Sequence, residues 1–280
     1  MDHTPFTLPP SHEPVPPPPP WWKRITGPLV AFGVIILKYL SALKVFIIPV
    51  LKFFPLLLKT GGSMLFMMWI YAMMYGWQYA VGFVLLILVH ECGHVIAAKR
   101  YGLNVSAPMF IPFFGALILL RERPKNAWIE AVMAIGGPVA GTVGAILCHN
   151  IYIQTHDPLF LALAYSGYFL NLFNLMPVGF LDGGRIVNAI TPWLLIPGLA
   201  ILAWFMIEYN FDFILLLIML TSLPRIWRLF WTRTPEEEYY HALPVGKRIT
   251  MGVCYFGLAA FLYYMMHTSF EELQSFGHGA

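Results

Sequence analysis

Charge is what this sequence lacks most. Of its 280 residues only 11% are Asp, Glu, Lys or Arg, against roughly 25% in soluble domains. Hydrophobic residues make up 59% and the mean hydropathy is +0.68. So few charges cannot cover a water-soluble shell, and the recurring long apolar runs point to a chain solvated by lipid. Cysteine is scarce too. Cys92, Cys148 and Cys254 are odd in number and scattered through apolar sequence, which excludes a disulfide framework. The composition also excludes disorder, collagen and coiled coil. A formal charge of +3 is too small to imply a nucleic-acid partner.

The N-terminal stretch lacks an apolar segment of the signal-peptide kind. Residues 1–20 hold nine of the 23 prolines, Pro16 to Pro20 among them, so 1–26 reads as an extended or disordered tail. Trp21, Trp22, Lys23 and Arg24 then form an aromatic and basic membrane-surface signature. Residues 27–60 carry Lys38, Lys44, Lys52 and Lys59 on an apolar background. At about 100° per residue these lysines share one side of a helical wheel. An amphipathic helix lying in the interface is expected there rather than a span, and Pro49 and Pro55 argue against one straight crossing.

Downstream, membrane segments are expected near 62–77, 78–98, 127–149, 158–181, 186–208, 212–231 and 249–267. Pro192 and Pro197 should break the fifth. Lys and Arg are absent from 150–157, 208–212 and 268–280, while Lys99, Arg100, Arg121, Arg123, Lys125, Arg185, Arg225, Arg228, Arg233, Lys247 and Arg248 occupy the other side. Such asymmetry predicts a cytosolic N-terminus, cytosolic loops at 99–126, 182–185 and 232–248, and an external C-terminus. Pro108, Pro112 and Gly115 interrupt residues 103–120, giving poor helix material and a plausible β-like hairpin. Non-helical backbone at membrane depth must pack on protein or line a cavity.

Chemistry gathers at LVHECGHVIAAKR. His90 and His94, four residues apart on a helix, project from nearly one face and can share a metal. Glu91, about 100° round the helix, can reach a metal-activated water without being a third ligand from the same turn. Cys92 faces away from the histidines, and Gly93 lets a second helix approach. Ionisable residues inside a membrane helix are costly, which makes them functional candidates. A catalytic zinc needs one more protein ligand. Asp182 is one of four aspartates, and the other three (Asp2, Asp157, Asp212) fall in the tail or the external loops. Gly183 and Gly184 should leave the backbone free to turn its carboxylate inward. Asn174, eight residues earlier, supplies an amide for a developing oxyanion. Glu130 is a weaker candidate at the site entrance.

These residues resemble the site-2 protease family of intramembrane zinc metalloproteases. The likeness rests on His90, Glu91 and His94 on one membrane helix, on Asn174 with Leu181, Asp182 and Gly183 near the end of another, and on Gly137–Pro138 between them. It implies that His90, His94 and Asp182 bind one zinc ion, that Glu91 is the general base, and that Asn174 assists at the scissile carbonyl. One departure is Gly141, where many relatives carry an asparagine near the substrate. The expected fold is an all-α polytopic membrane protein of about seven segments, with a three-helix zinc-protease core and a small membrane-dipping β-like hairpin. Residues 61–208 would form the protease core and 209–280 C-terminal membrane helices. Gly137 with Gly141, and Ala140 with Gly144, have the small-xxx-small spacing that brings membrane helices together.

The expected activity is zinc-assisted hydrolysis of membrane-embedded protein substrates near the cytosolic face of a prokaryotic cell membrane, with the lipid bilayer as the other partner. Three alternatives stay open at this point. One is a membrane zinc protease with a downstream glutamate as third ligand. Another is a catalytically silent scaffold or chaperone that retains the zinc site. The third, a di-iron desaturase, needs about eight clustered histidines.

Overall fold

The computed structural model describes Lys38 and residues 60–113, 115–208, 213–231 and 234–278. The expected tail (1–26), nearly all of the interfacial helix (27–60) and the 208–212 loop (Glu208 apart) lie outside the described residues. Helix α1 (Thr60–Tyr75) precedes α2 (Trp77–Arg100). Between them Gly76 takes a positive φ of 85°, which a glycine adopts at little cost. α2 ends with Lys99 and Arg100 in its last turn, where cations offset the helix dipole. Strands β1 (Met109–Ile111) and β2 (Gly115–Leu117) follow, then α3 (Ala127–Thr155) and α4 (Pro158–Asn174). The Asn126 side chain caps α3 by accepting from the Ile129 N–H at 3.0 Å, and Asp157 caps α4 through the Leu159 N–H at 2.9 Å. Beyond lie α5 (Asp182–Ile190), a 3₁₀ turn (Pro192–Leu194), α6 (Leu195–Glu208), α7 (Phe213–Trp231), α8 (Pro235–His241) and α9 (Val245–His278).

α3 stands at the centre, packed against α2, α4 and α5, while α9 lies along α4 and α5. What lets α2 and α3 touch is missing side chains. A Cβ on Gly93 would sit 2.2 Å from the Gly136 carbonyl oxygen, and one on Gly137 2.3 Å from His94 Nε2. The small-residue spacing of α3 therefore serves close packing on the histidine-bearing helix, as the sequence suggested.

The hairpin is present. β1 and β2 pair antiparallel, with Phe110 opposite Ala116, and a further bridge joins Val105 to Leu120. α1 anchors it, because the Phe110 N–H donates to Ser63 Oγ at 3.0 Å and the Phe113 N–H to the Tyr71 hydroxyl at 3.1 Å.

Of the expected seven segments the structure supports part. Among the described residues three helices are long and apolar enough to cross a membrane: Trp77–Arg100, Ala127–Thr155 and Val245–Phe276. Pro192–Glu208 and Ile214–Trp227 are apolar but shorter. The expected span 158–181 stops at Asn174. The expected span 186–208 breaks at the 3₁₀ turn that holds Pro192, because proline cannot extend the preceding helix.

Replacing Gly93 by Ala should destabilise the protein by about 1–3 kcal/mol or more, since backbone rather than a mobile side chain blocks the new methyl. Gly61→Ala, with nothing within 4 Å of the added Cβ, should leave thermal unfolding in detergent unchanged. Equal melting of the two variants would refute this account of α2–α3 packing.

Candidate metal centre

His90 and His94 sit in the cytosol-proximal half expected of α2, one helical turn apart, and Asp182 opens α5. His90 and Asp182 are 4% and 7% exposed. Asp182 Oδ2 lies 3.2 Å from each imidazole Nε2, and the two Nε2 atoms are 3.1 Å apart. Three ligand atoms thus form a nearly equilateral triangle, and the three residues are the one such group of His, Cys, Asp or Glu found among the described residues. No downstream glutamate joins them, and no second histidine pair does. Among the described residues nothing favours a glutamate ligand or a di-iron cluster.

The far side of each ring fixes its protonation. His94 Nδ1 is 2.8 Å from the Met133 carbonyl oxygen, which can only accept, so Nδ1–H donates. His90 Nδ1 is 2.8 Å from Asn171 Oδ1, again an acceptor. With Nδ1–H donating on each ring, each Nε2 is the atom left to ligate a shared metal. Three such atoms converging in a buried space need a shared cation, a metal ion or a proton, between them.

A metal fits this space by its donor chemistry. Zinc–nitrogen and zinc–oxygen bonds of about 2.0–2.2 Å at tetrahedral angles place ligand atoms roughly 3.3 Å apart, and the triangle has that size. Two imidazoles and one carboxylate leave a fourth position open, the pattern of catalytic rather than structural zinc.

Glycines hold Asp182 in place by a route the sequence did not reveal. Gly183 and Gly184 lie within α5, not in a flexible bend. A Cβ on Gly183 would lie 2.0 Å from the Leu175 carbonyl oxygen, so their role is to let the α5 N-terminus close on the preceding turn.

Glu91, 7% exposed, lines with the triad a cavity of about 480 Å³ that Asn174, Arg185 and the β2 residues also line. Asn174 ends α4, its amide donating to the Leu170 carbonyl at 3.0 Å. That bond uses one of two amide hydrogens, leaving the other for a ligand. Glu130 lies elsewhere, accepting from the Tyr240 hydroxyl at 2.9 Å and from Asn188 Nδ2 at 3.2 Å. It borders a separate cavity of about 1140 Å³ that none of the triad lines, so size alone does not mark the chemistry. Sequence reasoning missed Asn171 and Arg185. Asn171 carried a signal, an amide inside an apolar helix; Arg185 had been assigned to a cytosolic loop.

Residues 78–157 match the model of Peptidase family M50, the site-2 proteases. Over that stretch the chain is similar to the site-2 protease family. It is 34% identical over 122 residues to a zinc metalloprotease of Methanocaldococcus jannaschii, an alignment covering 40% of this chain and 34% of that one. A Mycobacterium tuberculosis protein named as zinc metalloprotease Rip3 is 31% identical over 111 residues, 37% of this chain and 28% of its own. A relative from Synechocystis, also named a zinc metalloprotease, is 30% identical over 112 residues, 37% of this chain and 28% of its own. The chain thus spans about a third of the length of the curated relatives it matches. The family match holds His90, Glu91 and His94 but stops before Asn174 and Asp182, so those two rest on geometry.

Metal analysis of the purified protein should find one divalent ion per chain, lost on His90→Ala and on Asp182→Ala. Retention by Asp182→Ala would show that the carboxylate is no ligand.

Proposed function

We propose that this protein is a site-2 protease, an intramembrane zinc metalloprotease that hydrolyses a peptide bond of membrane-embedded substrates near the cytosolic face. The observation that carries this reading is the convergence of three potential ligand atoms beside Glu91 in one cavity that strand β2 also lines. His90, His94 and Asp182 would hold zinc. When bound, zinc supplies Lewis acidity, acidifying water and polarising the scissile carbonyl.

The remaining work falls to the chain's own groups. Glu91 takes the proton from water and delivers it to the leaving amine. The free amide hydrogen of Asn174 donates to the oxyanion as charge develops there. Apolar walls, Phe83, Phe169 and Phe173 among them, keep bulk water from the reacting atoms and suit the side chains of a membrane-derived segment. The clustering of Lys and Arg on alternate loops supports the cytosolic placement.

A substrate helix must unwind before cutting, because its own backbone hydrogen bonds shield the scissile bond. The hairpin offers a replacement partner. The Phe110 N–H points away from β2, to Ser63, so Phe110 and Ala116 form a non-hydrogen-bonded pair and the Ala116 N–H and C=O also point outward. α1 covers the β1 edge, whereas β2 lines the cavity. The unwound segment would add to β2 as a further strand.

Glu91→Gln should lower cleavage of a test substrate by at least roughly 100-fold while the bound metal stays. Loss of cleavage with intact cellular function would instead favour a catalytically silent scaffold or chaperone. Ala116→Pro removes one outward donor at an edge that tolerates proline. It should impair cleavage without altering metal content, and undiminished cleavage by this variant would eliminate strand addition.

A further inference from the structure

Beneath His90 lies a buried amide that neither the motifs nor the proposed chemistry uses. Asn171, on α4, is 1% exposed. Its Oδ1 is 2.8 Å from His90 Nδ1, and its Nδ2 donates to the Gly167 carbonyl at 2.7 Å. That second bond decides the first. Gly167 O only accepts, so the amide nitrogen must face it, and the oxygen is left for the imidazole. α3 makes room for this arrangement. A Cβ on residue 141 would sit 2.2 Å from Asn171 Oδ1 and 2.7 Å from Nδ2, and Gly141 has none.

We propose that Asn171 is a positioning residue for the metal: its amide oxygen locks His90 as the Nδ1–H tautomer and aims Nε2 at the shared ion, with Gly141 supplying the clearance. The inference rests on the zinc-site reading above. The two ligand rings are oriented by different means. His94 leans on the Met133 backbone carbonyl, which no side-chain replacement removes. His90 depends on a side chain, and so is the ring whose orientation one substitution can release. An amide also suits the electrostatics. It accepts the imidazole proton without adding a third negative charge to a buried pocket that already holds Asp182 and Glu91.

The test compares Asn171→Leu and Asn171→Asp with wild type, by zinc affinity from competition titration and by ¹⁵N chemical shifts of His90 in the zinc-free protein. Removing an outer partner of a ligating histidine typically weakens metal binding roughly 10–100-fold, and that loss is expected for Asn171→Leu, with His90 populating both tautomers. Asn171→Asp keeps an acceptor for the ring but gives up the donor to Gly167 O and adds the buried charge the amide avoids. The Nδ1–H tautomer should persist while the zinc-free protein melts below wild type, and loss of that tautomer would overturn the proposal. A purely structural role would lower the melting temperature of the zinc-free protein while leaving affinity and tautomer unchanged, and that result would overturn the proposal. If Asn171→Leu does not fold, Gly141→Ala displaces the same amide with Asn171 still present. Wild-type affinity and tautomer in that variant would also overturn it. Should wild type bind no zinc, the proposed protease function fails, while the His90 tautomer still decides the role of Asn171.

Discussion

Two imidazole nitrogens and a carboxylate oxygen point at one buried spot, and most of this structure exists to hold them there. Without a proton or a metal ion between them, lone pairs about 3.2 Å apart in a low-dielectric interior would repel. The arrangement persists because each ligand is tied from behind: His94 to Met133, His90 to Asn171, Asp182 by the closed α5 turn. A folded chain that keeps such a cluster has been shaped around a cation. This is why the metal reading does not depend on motif matching alone.

The ties demand short distances, and glycine provides them. α3 passes the metal-binding face of α2 with Gly136 and Gly137 turned toward it, and passes Asn171 with Gly141. Any side chain at these points would push a helix outward and open the triangle. In lipid, where no hydrophobic force drives helices together, such contact is also what holds them. Packing and chemistry therefore impose the same requirement on the same residues of α3.

How much of this could be read beforehand follows from how local each signal is. His90, Glu91 and His94 lie within five residues of one helix, so the 3.6-residue period alone places them on adjoining faces. Asp182 was reached from scarcity and sidedness, and the small-residue spacing predicted the α2–α3 contact. The hairpin followed from Pro108, Pro112 and Gly115 breaking an apolar run. Asn171 was invisible because its meaning lies in partners 81 residues and four residues away, and no period connects His90 to it. Gly183 and Gly184 were misread as hinge residues, since sequence cannot tell a glycine that bends from one that yields room. The number of segments was legible only in part for a similar reason. Hydropathy sees the apolar run 158–181 but not the turn that ends α4 at Asn174 to bring Asp182 round.

That turn shows why the candidate metal centre cannot be only the segment that carries the histidines. Residues 175–181 carry no metal ligand, yet their path sets where Asp182 begins α5. Helices further along the chain hold that path. Ser222 on α7 accepts from the Gly179 N–H at 2.6 Å, and Arg225, one turn on, donates to the Gly179 and Gly184 carbonyls at 2.9 and 3.3 Å. The Tyr255 hydroxyl on α9 donates to the Leu175 carbonyl, and Gly198 on α6 lets Pro177 approach. Each bond satisfies a backbone group that would otherwise be orphaned where α4 ends. The histidines come prepositioned by one helix, whereas the carboxylate depends on three helices outside the family-matched region. Disturbance of α6, α7 or α9 would thus reach the metal through its third ligand first.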